Sequence, residues 1–513
     1  MHTNEKFKQC LGIELGSTRI KASVIDSSFE PVSSGDYTWK SSYINRIWTY
    51  NLEEVWKGLN EALSKADVSS VDAAGISAMM HGYLAFDKDW NLLVPFRTWQ
   101  NTITGEAADE LTELFKFNIP QRWSIAHLYQ AVLNKEEHIP HLAHITTLAG
   151  YVHFRLTGVN AVGIGEASGI FPIDSEKADY DSVMLDKFDS LMAEKNCGIK
   201  IREVLPKVLT AGKEAGKLTE EGAGLLGNRL RPGIPFAPPE GDAGTGMTAT
   251  NAVAPGTGNV SAGTSVFSMI VLDKALSRVY PEIDMVTTPT GKPVAMVHCN
   301  NCTNDMNAWV KLLGETVSLF GGNDDTGNLF TKLYEKSLEG DADCGGVMVC
   351  NYLAGESITH FDEGRPMVIR NAESSFTLAN LTRSMLYSTI ATLKTGMDIL
   401  AGEGVKINSL TGHGGLFKTP VVGQKYLAAA CNAPVTVMKT AGEGGPYGMA
   451  LLAAYMLCAE ECGTLEQFLN DNVFRNTEVS VMDPDETDVS GFNKYMESYR
   501  NLLDVERTAV NSL

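Results

Sequence analysis

Two short segments of the 513-residue chain, 247 positions apart, share one pattern. Gly12 to Asp26 reads GIELGSTRIKASVID, and Asn259 to Asp273 reads NVSAGTSVFSMIVLD. In the first, Ile13 and Leu15 alternate with polar neighbours, a Gly-Ser-Thr turn follows, and Ile20, Ala22 and Val24 resume the period of two. That is the signature of strand, tight turn, strand. In one register, Gly16 falls on Gly263, Ser17 on Thr264, Thr18 on Ser265 and Asp26 on Asp273. One such hairpin heads each half, so the pattern predicts two similarly built domains. The competing reading is coincidence between two amphipathic hairpins.

The rest of the chain supports an α/β architecture. Leu52, Val55, Trp56, Leu59 and Leu63 make one helical face, and Val71 to Met79 reads as a strand ending at Met80-His81-Gly82. In the second half, a long apolar stripe from Leu378 to Leu400 predicts a helix that ends at Gly402-Glu403-Gly404. A strand over 407–411, a glycine-rich turn at 412–420 and helices over 421–430 and 447–458 follow. The glycine-rich stretch 244–258 is the expected junction. The expected domains are therefore 1–250 and 251–480, with 481–513 a polar, acidic tail packed on the surface.

Composition limits the partners. Lys plus Arg is 42 and Asp plus Glu is 62, a net charge of −20. So acidic a chain is repelled by a phosphodiester backbone, so nucleic acid is not the expected partner. Small anions remain open, because backbone N–H groups hold phosphate without side-chain charge. The apolar stretch 449–459 is eleven residues, against roughly 20 for a membrane span. Without a signal-peptide core near the start, the expected location is cytoplasmic and no membrane partner is expected. Nine scattered cysteines suggest reduced thiols. Cys299 and Cys302 form a CxxC that reads as a zinc half-site, a redox pair or buried apolar residues, but no second metal-spaced pair accompanies it.

Several residues invite a chemical reading. Two Gly-Ser-Thr-like turns facing one cleft would grip a polyphosphate from both sides. Asp242 sits in a glycine-flanked loop, EGDAGTG, where a carboxylate can deprotonate a hydroxyl or simply cap the next helix. Glu14 is an acid inside an apolar strand, which suits either Mg²⁺ beside a phosphate or a solvent-facing edge. His81 ends a strand, where it can serve a substrate hydroxyl or the core. Trp99, Gln100 and Asn101 combine an aromatic platform with amides, as sugar sites do and packed cores also do. The segment 412–419 resembles a P-loop but carries Phe417 in place of its second glycine. Gly244 to Ala249 matches GxGxxA, yet Pro235, Pro238 and Pro239 fit poorly with the strand a dinucleotide fold needs before it.

Taken in order, these motifs resemble the FGGY carbohydrate kinases. The resemblance rests on GIELGSTRIKA, MHG at 80–82, PFRTWQN at 95–101, YVHFRLTG at 151–158, EGDAGTG at 240–246, SAGTS at 261–265 and GGLFKTP at 414–420. The 80–82, 95–101 and 155–158 elements look most like xylulokinases. The resemblance implies two RNase H-like domains of the sugar kinase and actin-like ATPase fold, with a cleft between them. It implies ATP-dependent phosphorylation of a primary hydroxyl on a pentulose, or on another ketose, aldonate or polyol. A degenerate kinase that binds sugar or nucleotide as a regulator is the reading from another class. ATP and Mg²⁺ are the implied cofactors, and a homodimer is a family expectation. Asp242 is the implied base, with Met80, His81, Trp99 and Asn101 at the sugar. Gly16, Ser17, Thr18, Gly263, Thr264 and Ser265 are the implied phosphate turns. Gly414, Gly415 and Lys418 fall in the adenosine segment, Gly444 and Gly445 open the next helix, and Glu14 and Asp242 are the implied metal ligands. Three positions depart from the family pattern: Glu14 stands for Asp, Ala243 for Asn or Gln, and Leu416 for Gly.

Overall fold

A computed structural model describes residues 7–322, 325–438 and 444–513. The chain forms two compact units. One comprises Met1–Pro255, Val271–Val294 and Glu443–Thr477; the other comprises Gly256–Ile270, Ala295–Gly442 and Glu478–Leu513. The strands that matter below are, in chain order, β1 (Gln9–Leu15), β2 (Arg19–Asp26), β3 (Pro31–Thr38), β4 (Val71–Ala78), β5 (Glu240–Gly241), β6 (Thr257–Ala262), β7 (Val266–Val271), β8 (Pro293–Cys299), β9 (Ser409–His413), β10 (Val435–Met438) and β11 (Val479–Met482). The helices are α1 (Leu52–Lys65), α2 (Ile164–Ala167), α3 (Asp242–Ala249), α4 (Leu378–Gly402), α5 (Val422–Cys431), α6 (Gly444–Cys462) and α7 (Glu486–Ser512).

In the first unit β1 pairs antiparallel with β2 and parallel with β4, while β5 adds to β4 in parallel. The two faces of this sheet are set by the pleat. Leu11, Ile13 and Leu15 lie opposite Val24, Ala22 and Ile20 on one strand and Ala74, Ile76 and Ala78 on the other. That face is buried against Val55, Leu59 and Leu63 of α1. Asn51 starts α1 by accepting the Glu53 N–H at 2.9 Å.

The opposite face pairs Gly12 with Gly75 and Glu14 with Ser77. Here α6 lies directly on the strands. A Cβ at Gly12 would sit 1.9 Å from the Pro446 carbonyl oxygen, and one at Gly75 would sit 2.3 Å from Met449. Two neighbouring glycines thus let a helix backbone reach the sheet.

In the second unit the strands lie in the order β8, β7, β6, β9, β10, β11. β6 pairs antiparallel with β7 and parallel with β9. The sequence repeat therefore corresponds to equivalent hairpins, with one difference. Leu15 faces Ile20 across a four-residue bend, whereas Ala262 faces Val266 across three. Beyond the turn, the repeat slips by one residue. A one-residue slip exchanges faces along a strand. It is accommodated because both faces of β7 are largely covered: Val266, Ser268, Met269, Ile270 and Val271 are all buried.

The segment beyond residue 480 contributes structure. β11 completes the sheet edge against β10, and α7 follows, capped by Asp485. Its apolar positions Phe492, Tyr495, Met496, Tyr499 and Leu502 are buried, and Asp488 pairs with the buried Arg383 of α4 at 2.5 Å. The polar half of this amphipathic helix faces water, which is why its composition reads as a surface tail. Among the described residues, no helix is long and apolar enough to cross a membrane.

Because the Gly12 contact is backbone on backbone, Gly12→Ala has no side chain to push aside. We expect it to destabilise the first unit by about 3 kcal/mol or more, read as a fall in the urea midpoint. Retention of the wild-type midpoint would show that β1 and α6 are not locked together.

Candidate active site

Three chain segments of the first unit converge at the C-terminal end of β1 and β4. Glu14 lies on the face covered by α6, directly across from Lys21, and the two side chains form a 3.5 Å ion pair. Burial raises the Glu14 carboxyl above its usual range, and Lys21 opposes that. The start of α6 abuts it: a Cβ at Gly445 would lie 2.2 Å from Glu14 Oε1. Gly445 is thereby placed beside an acid, with Gly444 before it at φ 70°.

Asp242 opens α3. Its Oδ1 accepts the Met80 N–H at 3.2 Å, which joins it to the end of β4. One turn on, Thr245 Oγ1 lies 3.0 Å from Ser77 Oγ, a second link from α3 to the same strand. Asp242 is exposed, so water and ligands can reach it. The surrounding chain still thins its hydration, and the Glu14 charge adds repulsion; together they push its carboxyl up to about 6. The N–H groups of Met80, Ala243 and Asp242 itself oppose this.

Met80 and His81 follow the end of β4, and the Met80 N–H reaches Asp242. His81 holds φ 71° and Gly82 φ 90°, two left-handed residues in succession. His81 Nδ1 is 3.4 Å from the Gly169 carbonyl, so that nitrogen carries the proton. Its ring stacks on Trp123 at 6.3 Å and 18°. Burial, then the nearby Arg122 charge, hold His81 neutral, well below its usual value. Arg122 itself pairs with Asp284. Trp99 is exposed. Asn101 is buried, and its amide is committed to the Trp48 backbone at 2.8 Å on both sides and to the Thr98 carbonyl at 3.0 Å. It braces the loop that presents Trp99.

Two buried acids escaped the sequence reading. Glu240, on β5, accepts the Gly165 and Glu166 N–H groups at 3.3 and 2.9 Å, and burial raises its carboxyl to about 8. Asp242, at about 6, therefore loses its proton first. Glu166 of α2 is fully buried behind Gly241 and is raised well above the ordinary range. The only signal was the glycines around them: a Cβ at Gly163, Gly165 or Gly241 would fall within 2.1–2.5 Å of one of these carboxyls.

In both glycine turns backbone carbonyls accept hydrogen bonds from behind. In the first unit the Gly16 carbonyl accepts from the Trp39 indole and the Ser17 carbonyl from the Tyr50 hydroxyl, each at 2.7 Å. In the second, the Gly263 carbonyl accepts from the Thr303 N–H at 3.1 Å and hydroxyl at 2.7 Å, and the Thr264 carbonyl from the Cys302 N–H at 3.2 Å. In a trans peptide the N–H points opposite the C=O. The N–H groups of Ser17, Thr18, Thr264 and Ser265 are therefore turned away from these braces, as an anion site requires. Ser17, Thr18 and Thr264 are exposed and Ser265 is half-buried.

Gly414 packs on the base of the second turn, at φ 99° and with its Cβ position 2.5 Å from the Ala262 carbonyl oxygen. Gly414, Gly415 and Lys418 are exposed, whereas Leu416 points into the core at 1 % exposure. Cys299 and Cys302 are buried thiols, with burial raising both, Cys302 to about 12.

Two mixed sheets, each opened by a glycine-turn hairpin, define the two-domain sugar kinase and actin-like ATPase class. A ligand-bound xylulose kinase from Lactobacillus acidophilus shares the fold at a TM-score of 0.79, covering 98 % of this chain and 99 % of that one at 16 % identity. A gluconate kinase from the same organism gives 0.78, covering 97 % and 98 % at 16 % identity. In sequence, a xylulose kinase of Haemophilus influenzae is 24 % identical over 515 residues, covering 95 % of this chain and 98 % of that protein. The models for the N-terminal and C-terminal domains of the FGGY family of carbohydrate kinases match residues 9–248 and 258–457. The chain belongs to that family and is a carbohydrate kinase, with sugar and ATP as its small-molecule partners.

A carboxylate acts as a general base only when ionised. We expect kcat/KM to fall as pH drops through about 6, the free-enzyme value of Asp242. Removing a like charge lowers a carboxyl pKa, so Glu14→Gln should move that acid limb to lower pH. A limb that stays in place in this variant would mean that the two acids are not coupled.

Proposed function

We propose that this kinase transfers the γ-phosphoryl group of ATP to a primary hydroxyl of a xylulose-like pentulose. The reading is carried by Asp242: an exposed carboxylate at a helix N-terminus, held by the Met80 N–H. A hydroxyl bound there donates its hydrogen bond to Asp242. As its oxygen bonds to the γ-phosphorus, the bond from that phosphorus to the β,γ-bridging oxygen breaks. The hydroxyl proton passes to Asp242 and ADP leaves. Phosphoryl transfer demands positioning and charge neutralisation more than covalent help. In this reading the N–H groups of the Gly16–Thr18 and Gly263–Ser265 turns each serve phosphate oxygens, and Gly414, Gly415 and Lys418 serve the adenosine. Gly444 and Gly445 close the site beside Glu14, while Met80, His81 and Trp99 meet the sugar.

The arrangement suits Mg²⁺. Glu14 and Asp242 repel each other, and a hard divalent cation completes its shell from one or two carboxylates, water and phosphate oxygens. When bound it would offset charge on the β- and γ-phosphates. Glu14 and Asp242 are the residues that would hold it, and Lys21 otherwise balances Glu14.

Pentulose specificity draws on the xylulose kinase relatives and on the MHG segment. Ala243 favours a second reading, because it offers no side-chain hydrogen bond where the family pattern has an amide. A ketose, aldonate or polyol lacking the matching hydroxyl would fit such a site. Loss of turnover altogether would instead make the protein a binding regulator.

Asp242→Asn should lower sugar-dependent ADP release by about 100-fold or more while ATP still binds. Turnover near wild type in that variant would refute the base assignment. In a coupled ADP assay across pentuloses, hexuloses, aldonates and polyols, D-xylulose should give the highest kcat/KM. A higher value for an aldonate would move the assignment to that class.

A further inference from the structure

The two phosphate turns are braced by different chemistry. Trp39 and Tyr50, two packed aromatic side chains, hold the first. The second is held by a loop, residues 300–303, that has no regular structure of its own. That loop is fixed in turn by an acid from a distant segment. Glu356 is fully buried, and its Oε2 accepts the Asn300 N–H at 2.9 Å, the Asn301 N–H at 3.2 Å and the Asn301 side-chain amide at 3.2 Å. Asn301 Oδ1 accepts the Leu353 and Ala354 N–H groups at 2.9 and 3.0 Å, and Asn351 donates to the Cys302 carbonyl at 2.8 Å. The last links are Cys302 and Thr303, donating to the carbonyls of Thr264 and Gly263.

We propose that Glu356 and Thr303 are positioning residues for ATP: through the 300–303 loop they fix the peptide planes of Gly263 and Thr264, and so aim the turn's N–H groups at a phosphate. The inference rests on reading Gly263–Ser265 as a phosphate turn. Neither residue need touch the nucleotide. Thr303 supplies the Gly263 carbonyl with two of its hydrogen bonds, so its hydroxyl is the sharpest point of leverage. Without it, the peptide retains one partner and rotates more freely.

The test is ATP affinity of the full chain by titration calorimetry, with melting temperature measured without nucleotide. Thr303→Val keeps the shape and removes the hydroxyl; Thr303→Ser keeps the hydroxyl. We expect Thr303→Val to raise the Kd for ATP about three- to tenfold at little change in Tm, and Thr303→Ser to restore it, as one lost hydrogen bond implies. Glu356→Ala should raise Kd at least as much, and Glu356→Gln, which keeps an acceptor oxygen, should raise it less. Wild-type affinity in Thr303→Val, or failure of Thr303→Ser to restore it, overturns the proposal. Gly263→Val separates the two layers. A Cβ there meets nothing within 4 Å, so the fold tolerates it while the added bulk stands in open space at the turn. If Gly263→Val weakens ATP binding and the Thr303 and Glu356 variants do not, the positioning role falls alone. If Gly263→Val binds ATP normally, the phosphate-turn reading falls and takes this inference with it.

Discussion

The first unit depends on how closely α6 lies on β1 and β4. Side-by-side glycines at positions 12 and 75 remove the side chains that would hold the helix off. Two residues further along β1 the same face carries Glu14, and the helix begins at Gly444 beside it. The contact that packs the core thus also decides where the acid lies. A larger residue at position 12 would displace the helix start, and with it the wall against which Glu14 is held. Stability and chemistry therefore share one surface in this unit.

The acids nearby differ through environment rather than type. Glu240 is buried and raised to about 8, although two backbone N–H groups favour its charge. Asp242 is open to solvent and raised only to about 6. Lys21 partly compensates Glu14. Closely placed carboxyls with unlike surroundings are how a site keeps one of them as a usable base near neutral pH. The buried pair also explains local glycines that have no turn to make: Gly163, Gly165 and Gly241 leave room for carboxyl groups.

Much of this was legible in the sequence because it follows from periodicity. The hairpins, the α1 stripe and the long α4 appear where alternation and helical spacing put them. The slip between the hairpins was not legible, because a strand buried on both faces carries no alternation to fix its register. The role of residues 481–513 was hidden for a related reason. α7 buries one face only, and its charged face dominates the composition. Glu166 and Glu356 were missed because an acid in a Gly-rich segment looks like a surface residue. Only the fold shows that each is fully enclosed. Asn101 looks like a sugar ligand in sequence, yet its amide is taken up by Trp48 and Thr98.

The two turns show what a sequence repeat conserves and what it leaves free. A glycine followed by two hydroxyl residues recurs, and in both turns the N–H groups are turned away from the braced carbonyls. The support behind them does not recur. One turn leans on an indole and a phenol, the other on a backbone loop tied to a buried carboxylate. Rigid aromatic rings anchored in a core hold their position without help. A loop of residues 300–303 has no such inertia, so its order must come from hydrogen bonds with every donor placed. A fully buried acid, costly to leave unpaired, supplies that order behind the second turn.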